Sequence, residues 1–288
     1  MKKVERTGYL LLAPAALVMS ALVLYPIVFT FVYSLQDYRL IYPDKRAFVG
    51  LENYARVLAD PMFWNAFANT LLVTVIVLLL GLTSSLVVAS ILSVPTRFNG
   101  LLTAVAIIPW ALPPVVNGLL WKFVFYPGYG LLNKLLIGAG VVEGPIQWFG
   151  GRLGTLLVIA LVVAWRLAPF GAIVLLASMQ SIPRDVYEAA TTDGASRLQA
   201  FWDITRPLLA PSIAVVASYL VVNSLFTFDE VIALVGNRAL TSTLALYNYN
   251  QAFTFLNLGT GGATAYLVML GTGIAGFAYV RSMVGKAG

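Results

Sequence analysis

What most constrains this chain is where its charges are missing. No Asp, Glu, Lys or Arg occurs from Thr7 to Gln36, from Pro61 to Thr96, from Phe98 to Trp121, from Pro207 to Phe228, or from Ala239 to Val280. Each gap exceeds the ~20 residues an α-helix needs to cross the hydrocarbon of a bilayer. A further apolar run, Leu153 to Ser178, is interrupted only by Arg166. The chain therefore reads as an all-α integral membrane protein with six transmembrane helices, at roughly 9–35, 67–93, 100–125, 153–178, 208–232 and 262–282. The last gap is long enough for two crossings. Its first half, TSTLALYNYNQAFTFLNLGTGG, carries three Asn, a Gln and a Gly cluster, so it reads as an external loop with a surface helix. Lys2, Lys3 and Arg6 precede the first apolar run. That run is too long for a signal-peptide core and lacks a small-x-small cleavage site, so an uncleaved anchor is expected.

Composition excludes most chemistry. The chain is 60% hydrophobic and 10% charged, with no Cys and no His. Disulfides, thiol nucleophiles, Cys/His metal sites and imidazole acid–base catalysis are thereby removed. The net charge of +6 does not point to nucleic acid, because Lys and Arg are scattered among the spans and form no stripe with stacking aromatics.

Orientation rests on the basic residues. With both termini cytoplasmic, the internal segments hold Lys2, Lys3, Arg6, Arg97, Arg184, Arg197, Arg206, Arg281 and Lys286, and the external ones Arg39, Lys45, Arg46, Arg56, Lys122, Lys134, Arg152 and Arg238. The totals are close, but the internal segments are shorter, so basic density favours termini inside. The segment 179–207 then faces the cytoplasm, and it is among the most charged in the chain. Pro183 suits a first helical turn, Asp185 and Glu188 sit near that positive helix end, and Gly194 supplies a permissive backbone to end it. Ser196 and Gln199 form an S-x-x-Q capping box for a second helix, and Phe201 and Ile204 share a face before Pro207. Such a pair of helices is either an amphipathic connector or a docking element. It is longer than a tight connection requires.

At these residues the chain resembles a known family. Glu188-Ala189-Ala190, Asp193-Gly194-Ala195, Ile204 and Pro207 match the E-A-A-x-x-D-G-A…I-x-x-P signature of binding-protein-dependent ABC importer permeases, with Arg206 standing where the family usually has Leu. Leu12-Ala13-Pro14, Leu24-Tyr25-Pro26-Ile27, Gly50-Leu51-Glu52-Asn53-Tyr54, Ile108-Pro109-Trp110 and Phe228-Asp229-Glu230-Val231-Ile232 resemble the carbohydrate-uptake branch, of the maltose or glycerol-phosphate type. The resemblance implies a type I ABC importer permease fold in a bacterial or archaeal cytoplasmic membrane. It implies that 179–207 is a coupling loop in which Glu188, Ala189, Ala190, Asp193 and Gly194 engage a separate ATPase. The implied partners are a second homologous permease, two ATPase copies carrying ATP and Mg, an extracytoplasmic substrate-binding protein and membrane lipid. No cofactor is expected in the chain itself. It has no G-x-x-x-x-G-K-[ST] phosphate loop, and its only Gly-Lys pair, Gly285-Lys286, is followed by Ala.

Ionisable groups inside a bilayer are functional candidates, and Arg166 is the outstanding one. It either pairs with Asp229 or Glu230 or faces a translocation path. Sugar-binding positions carried over from the family fall on Trp110, Pro114, Asn117, Trp165, Arg166, Leu167 and Phe170, with Ser218, Asn223 and Ser224 in the fifth span. Aromatic faces suit the C–H surface of a sugar ring, and amides and hydroxyls suit its hydroxyls. An Arg in the same pocket would suit a phosphate or carboxylate, as in a glycerol-phosphate-like substrate. Pro109, Pro113 and Pro114 leave carbonyls unpaired, which a bilayer tolerates only in protein or beside a cavity, so the third span is expected to line the path. Gly259, Gly261, Gly262, Gly271, Gly273 and Gly276 are expected to allow close helix packing. A secondary transporter or channel is the alternative class, but acids occur only at a span end (Asp229, Glu230), and no internal repeat is seen. An intramembrane enzyme would lack His, Cys and paired intramembrane carboxylates.

Overall fold

The computed structural model describes the backbone of residues 2–284 and the side chains of residues 11–274. Lys286 and the Gly285-Lys286 pair lie outside the described residues. The helices in chain order are α1 (Lys2–Ser34), α2 (Glu52–Ala59), α3 (Pro61–Ser93), α4 (Asn99–Ala111), α5 (Pro114–Val124), α6 (Leu131–Gly138), α7 (Arg152–Gln180), α8 (Arg184–Thr192), α9 (Arg197–Ala200), α10 (Arg206–Leu208), α11 (Ala210–Leu225), α12 (Asp229–Val235), α13 (Leu244–Tyr249) and α14 (Leu258–Val284). One two-stranded antiparallel ribbon, β1 (Gln36–Asp37) with β2 (Ala47–Phe48), pairs Gln36 with Phe48. The chain divides into two compact units, residues 1–64 with 247–288 and residues 65–246, whose boundaries fall inside α3 and α13.

In the first unit α14 packs along α1 and α2. Small residues permit this: a Cβ on Gly262 would lie 2.9 Å from the Thr30 carbonyl, and one on Gly259 would lie 2.9 Å from Asn53 Nδ2. Gly271 and Gly273 meet nothing within 4 Å, so the close-packing expectation holds at the start of α14 and not at these two positions. The Gly50-Leu51-Glu52-Asn53-Tyr54 phrase has a structural reason. Gly50 takes φ +56°, and α2 then aims buried Asn53 Nδ2 at the Ser34 and Gln36 carbonyls, 2.9 and 2.8 Å away. The Ser34 carbonyl is one that α1 leaves without a helical partner at its end, and Gln36 begins β1. Tyr54 adds a 2.7 Å bond to Ser34 Oγ. Tyr247 donates to Asp60 Oδ2 at 2.7 Å, and burial, with that carboxylate beside it, pushes its phenol well above the usual tyrosine range.

The second unit is organised around α7. Fifteen of its 29 residues are buried, and it packs against α4, α5, α11 and α12. Where it meets α3 and α11 there is no room for a side chain, since a Cβ on Gly171 would lie 2.7 Å from Val216 Cγ1. Ser85 Oγ of α3 crosses to the Ala168 carbonyl at 2.9 Å. Gly118 plays the corresponding part between α5 and α12, 2.7 Å from Ala233 Cβ.

Two segments expected as continuous spans are broken. Residues 100–125 become α4 and α5, bent by 98°. The cause is Leu112-Pro113-Pro114. A residue before proline is pushed to extended geometry, and Leu112 and Pro113 have ψ of 133° and 139°. Residues 208–232 are bent by 71° between Leu208 and Ala210, leave the helix at Leu225, and resume in α12. Among the described residues, the unbroken helices long and apolar enough to cross a membrane are Leu11–Ser34, Pro61–Ser93 and Arg152–Gln180. The sixth expected segment, 262–282, falls in α14. The surface-helix expectation for 241–262 needs correction, because Leu244, Leu246 and Tyr247 of α13 are all buried. The Thr70 hydroxyl accepts the Leu244 amide at 2.8 Å and Thr243 Oγ1 donates to the Thr227 carbonyl at 2.9 Å, so the local polar residues serve internal bonds rather than solvent.

The glycine contacts give a direct test. Gly259→Ala should lower stability by about 1–3 kcal/mol, the usual cost of overpacking, whereas Gly273→Ala, which meets nothing, should be neutral or slightly stabilising in its helix. Heat-induced loss of monodisperse protein in detergent would measure both; equal effects would show that the close approach is not limiting.

Candidate functional site

Both elements singled out from the sequence lie in the second unit. The first is polar and sits where α5, α7, α11 and α12 meet. Arg166, about four turns into α7, holds Glu230 Oε1 with Nε at 2.6 Å; the side chains are 14% and 3% exposed. Glu230 is placed there because α12 restarts at Asp229, so that both carboxylates fall in a first helical turn where the macrodipole favours negative charge. Of the two acids considered from sequence, Glu230 is the one that pairs. Pro114, Arg166, Asn223, Thr227, Asp229 and Glu230 are among the residues lining a pocket of about 230 Å³.

One helical turn away is an aromatic shelf. Phe170 lies four residues beyond Arg166, and its ring centroid is 5.8 Å from that of Trp110 and 4.2 Å from that of Tyr219. Trp110 Nε1 donates to Tyr219 Oη at 3.0 Å, yet Trp110 remains 41% exposed. Tyr219 lies in turn one helical turn before Asn223, whose Nδ2 donates to the Tyr219 carbonyl at 2.8 Å. Shelf and pocket thus share the same two helix faces.

The sequence-derived positions divide accordingly. Trp110 and Phe170 meet in the shelf; Pro114, Arg166 and Asn223 meet in the pocket. Leu167 is fully buried core. Asn117 is buried with Nδ2 on the Val162 carbonyl at 3.2 Å, and Ser224 is buried with its hydroxyl on the Leu220 carbonyl at 2.7 Å. Ser218 bonds the Ala214 carbonyl at 2.8 Å, and Trp165 packs edge-to-face on Trp121 at 5.4 Å. None of these five lines the pocket. The residue that sequence reasoning missed is Tyr219. Its i,i+4 spacing to Asn223 in an otherwise aliphatic helix was the available signal.

The second element is α8 with α9. No residue of α8 is buried, and Glu188, Ala189, Asp193 and Gly194 are all exposed, with Ala190 half-buried. Gly194 adopts φ +81° and meets nothing within 4 Å. The Ser196–Gln199 capping box forms, with Ser196 N donating to Gln199 Oε1 at 2.8 Å and Gln199 N to Ser196 Oγ at 3.3 Å. A π-turn over Phe201–Thr205 follows, tied back to α8 by a 2.9 Å bond between Tyr187 Oη and Thr205 Oγ1. Arg206 lies over the Trp202 ring at 5.2 Å, so the departure from the family pattern is held against the loop. Leu198 and Trp202 are 68% and 51% exposed. Among the described residues no group of three or more potential metal ligands occurs.

Long apolar helices, one buried ion pair beside a small polar pocket, and a folded charged loop with apolar side chains left uncovered define a polytopic membrane transport subunit. The family described as the binding-protein-dependent transport system inner membrane component matches residues 81–284, and the chain belongs to it. It is 37% identical over 90% of its length to the sulfoquinovosyl glycerol transport system permease protein SmoG of Agrobacterium fabrum, covering 84% of that protein. It is 33% identical over 98% of its length to the trehalose/maltose transport system permease protein MalF of Thermococcus litoralis, covering 94% of it. The fold matches a chain in the crystal structure of a bacterial alginate ABC transporter in complex with an alginate pentasaccharide-bound periplasmic protein, with a TM-score of 0.81 at 21% identity over 96% of this chain and 94% of that one. This protein is therefore a multi-pass inner-membrane permease subunit of a binding-protein-dependent ABC importer, and it is not itself an enzyme.

Breaking a buried pair leaves one charge uncompensated, which costs about 3–5 kcal/mol. Glu230→Gln and Arg166→Met should each lower thermal stability in detergent strongly, and the double variant should recover much of the loss. Additive losses would show that the 2.6 Å contact contributes little.

Proposed function

We propose that this permease subunit passes an uncharged carbohydrate or polyol through the membrane. The observation that carries the reading is the charge balance of the pocket. Its only cation, Arg166, is already bound to Glu230, and the pocket wall adds Asp229, which makes no ion pair among the described residues. An incoming phosphate or carboxylate would meet one neutralised cation and an unpaired acid in a low-dielectric setting, where like charges repel strongly. A neutral polyol meets none of this. It finds the Trp110–Phe170–Tyr219 shelf for its C–H faces and Asn223, Thr227 and Asp229 for its hydroxyls. The name of the trehalose/maltose relative supports the same class, whereas the relatives named for sulfoquinovosyl glycerol, a sulfonate, and for sn-glycerol-3-phosphate are named for anionic solutes, so the neutral-solute reading rests on the pocket's charge balance. In this reading Asn117, Leu167 and Ser224 pack the helices that carry the path, with Trp165 and Ser218 at its margins.

The remaining assignments belong to the same proposal. Six spans place both termini in the cytoplasm of a bacterial or archaeal cell, with 179–207 as the coupling loop. The exposed side chains of α8, Glu188 and Ala189 foremost, engage one of two ATPase copies that carry ATP and Mg. Gly194 supplies the turn after α8. A second homologous permease completes the pathway, and an extracytoplasmic binding protein delivers the solute. The exposure of Glu188 and Ala189 supports the docking role, because no residue of α8 is buried and the Tyr187–Thr205 bond that ties the helix to its own chain leaves that face uncovered.

Two measurements test this. In proteoliposomes holding the full importer, Trp110→Ala and Tyr219→Ala should slow sugar uptake by about tenfold or more, the loss of roughly 1–2 kcal/mol of stacking, with little change in basal ATP hydrolysis. Robust uptake of a phosphorylated sugar by the unmodified importer, abolished by Arg166→Gln, would overturn the neutral-solute reading. Gly194→Asp meets open space and carries only left-handed backbone strain of about 1–2 kcal/mol. It should leave the permease folded while uptake and stimulation of ATP hydrolysis are lost; unchanged uptake would remove the coupling role.

A further inference from the structure

A second pocket of the second unit lies away from the polar site, at the other end of α7. It has a volume of about 530 Å³ and is walled by the last turns of α3 (Ser90, Ser93) and α7 (Met179, Gln180), by Arg184 and Tyr187 of α8, and by Arg197, Phe201 and Thr205. No acid lines it. The Ser90 and Ser93 hydroxyls donate to helix carbonyls, and Tyr187 and Thr205 bond each other. Arg184, Arg197 and Gln180 make no ion pair or side-chain hydrogen bond among the described residues. Three donors, two of them permanent cations, are thus left open in one cavity whose floor is apolar (Met179, Ile182, Phe201).

Position selects the ligand. Both α3 and α7 are long and apolar enough to cross a bilayer, and at 33 and 29 residues they outreach its ~30 Å hydrocarbon core, so the proposal places their polar final turns, with Ser90, Ser93 and Gln180, at the headgroup layer. A guanidinium offers a fork of donors to phosphate oxygens, and basic pockets between transmembrane helices at the cytoplasmic face hold anionic headgroups. We propose that this cavity binds the phosphodiester of an anionic phospholipid, with Arg184 and Arg197 on the phosphate oxygens, Gln180 on the headgroup hydroxyls, and Met179, Ile182 and Phe201 against the glycerol and first acyl carbons. Arg184 and Arg197 belong to α8 and α9, on either side of the Gly194 turn. A bound lipid therefore braces the two helices from the side facing α3 and α7, while Glu188 and Thr192 of α8 line a different, open surface.

The test uses the assembled importer in nanodiscs of phosphatidylcholine with an equal share of phosphatidylglycerol, followed by native mass spectrometry of retained lipid. Phosphatidylglycerol should be retained in preference to phosphatidylcholine. Arg184→Gln and Arg197→Gln should each reduce that preference about fivefold, the usual effect of one basic residue at an anionic surface, and Arg→Lys should restore part of it. A preference unchanged in the Arg184→Gln/Arg197→Gln double variant would overturn the proposal. Retention of inorganic phosphate by pure-phosphatidylcholine samples, equal to that of phosphatidylglycerol and lost in the double variant, would replace the lipid with a soluble anion. Loss of the ATPase subunits from the double variant with lipid retention intact would assign the arginines to that interface instead. None of these outcomes depends on transport, so each stands apart from the neutral-solute reading.

Discussion

A bilayer offers no hydrogen-bond partners, and the rest of this structure follows from how the chain answers that constraint. Every break in a helix and every charge within the apolar segments must be satisfied by the protein itself. The answers converge on α7. Its Arg166 is neutralised by Glu230, its Ala168 carbonyl takes the Ser85 hydroxyl, and its Val162 carbonyl takes the Asn117 amide. Those bonds come from α12, α3 and α5 respectively, so the same contacts that silence polar groups also fix three neighbours around one helix.

The broken segments are a consequence of this arrangement. Pro113 and Pro114 force the turn between α4 and α5, and the turn brings α5 beside α12, where Gly118 and Ala233 let the backbones approach closely. That approach puts Pro114 and Glu230 into one pocket wall. Had the third segment been straight, Trp110 and Pro114 would have followed one another along one axis. Bent, they reach two adjacent features, a shelf and a pocket, that α7 and α11 both span.

Much of this was legible in the sequence because a bilayer amplifies simple signals. The charge-free gaps located most of the long apolar helices, and the E-A-A…D-G-A stretch declared a helix, a glycine turn and a capped second helix that all form. What was not legible depended on three-dimensional pairing. Sequence could name Asp229 and Glu230 as partners for Arg166 but not choose, since consecutive residues in a first helical turn point about 100° apart and only the packing of α12 selects one. It listed Leu167 and Ser224 beside Arg166 and Asn223, which do line the pocket, because a one-residue rotation of about 100° separates a cavity face from a packing face, and it listed Asn117, three residues after Pro114, whose amide is drawn to the Val162 carbonyl instead. It took the Asn-rich 241–262 for surface, although polar residues there bond internally, and no composition rule distinguishes a solvated amide from a satisfied one. It passed over Tyr219 because an aromatic in an apolar span is ordinarily core.

The two cavities of the second unit show why overall charge says little about function here. The chain carries a net +6, yet the pocket beside Arg166 sets a single, already paired cation against two carboxylates, whereas the cavity at the end of α3 and α7 has two open arginines and no acid. Electrostatics acts over about 8 Å at physiological ionic strength, and over longer distances only where water is excluded. Each cavity is therefore governed by the few groups in its wall. A buried pocket that is not positive can pass neutral solutes while excluding anions, which a cell must not leak. An interfacial pocket that is positive can hold what the membrane supplies in abundance. Charge is thus divided between the two ends of α7: at one, Arg166 is paired with Glu230 beside Asp229, which has no ion-pair partner among the described residues, and at the other the arginines of α8 and α9 face no acid, a division that fits the two proposed ligands, a neutral solute and an anionic headgroup.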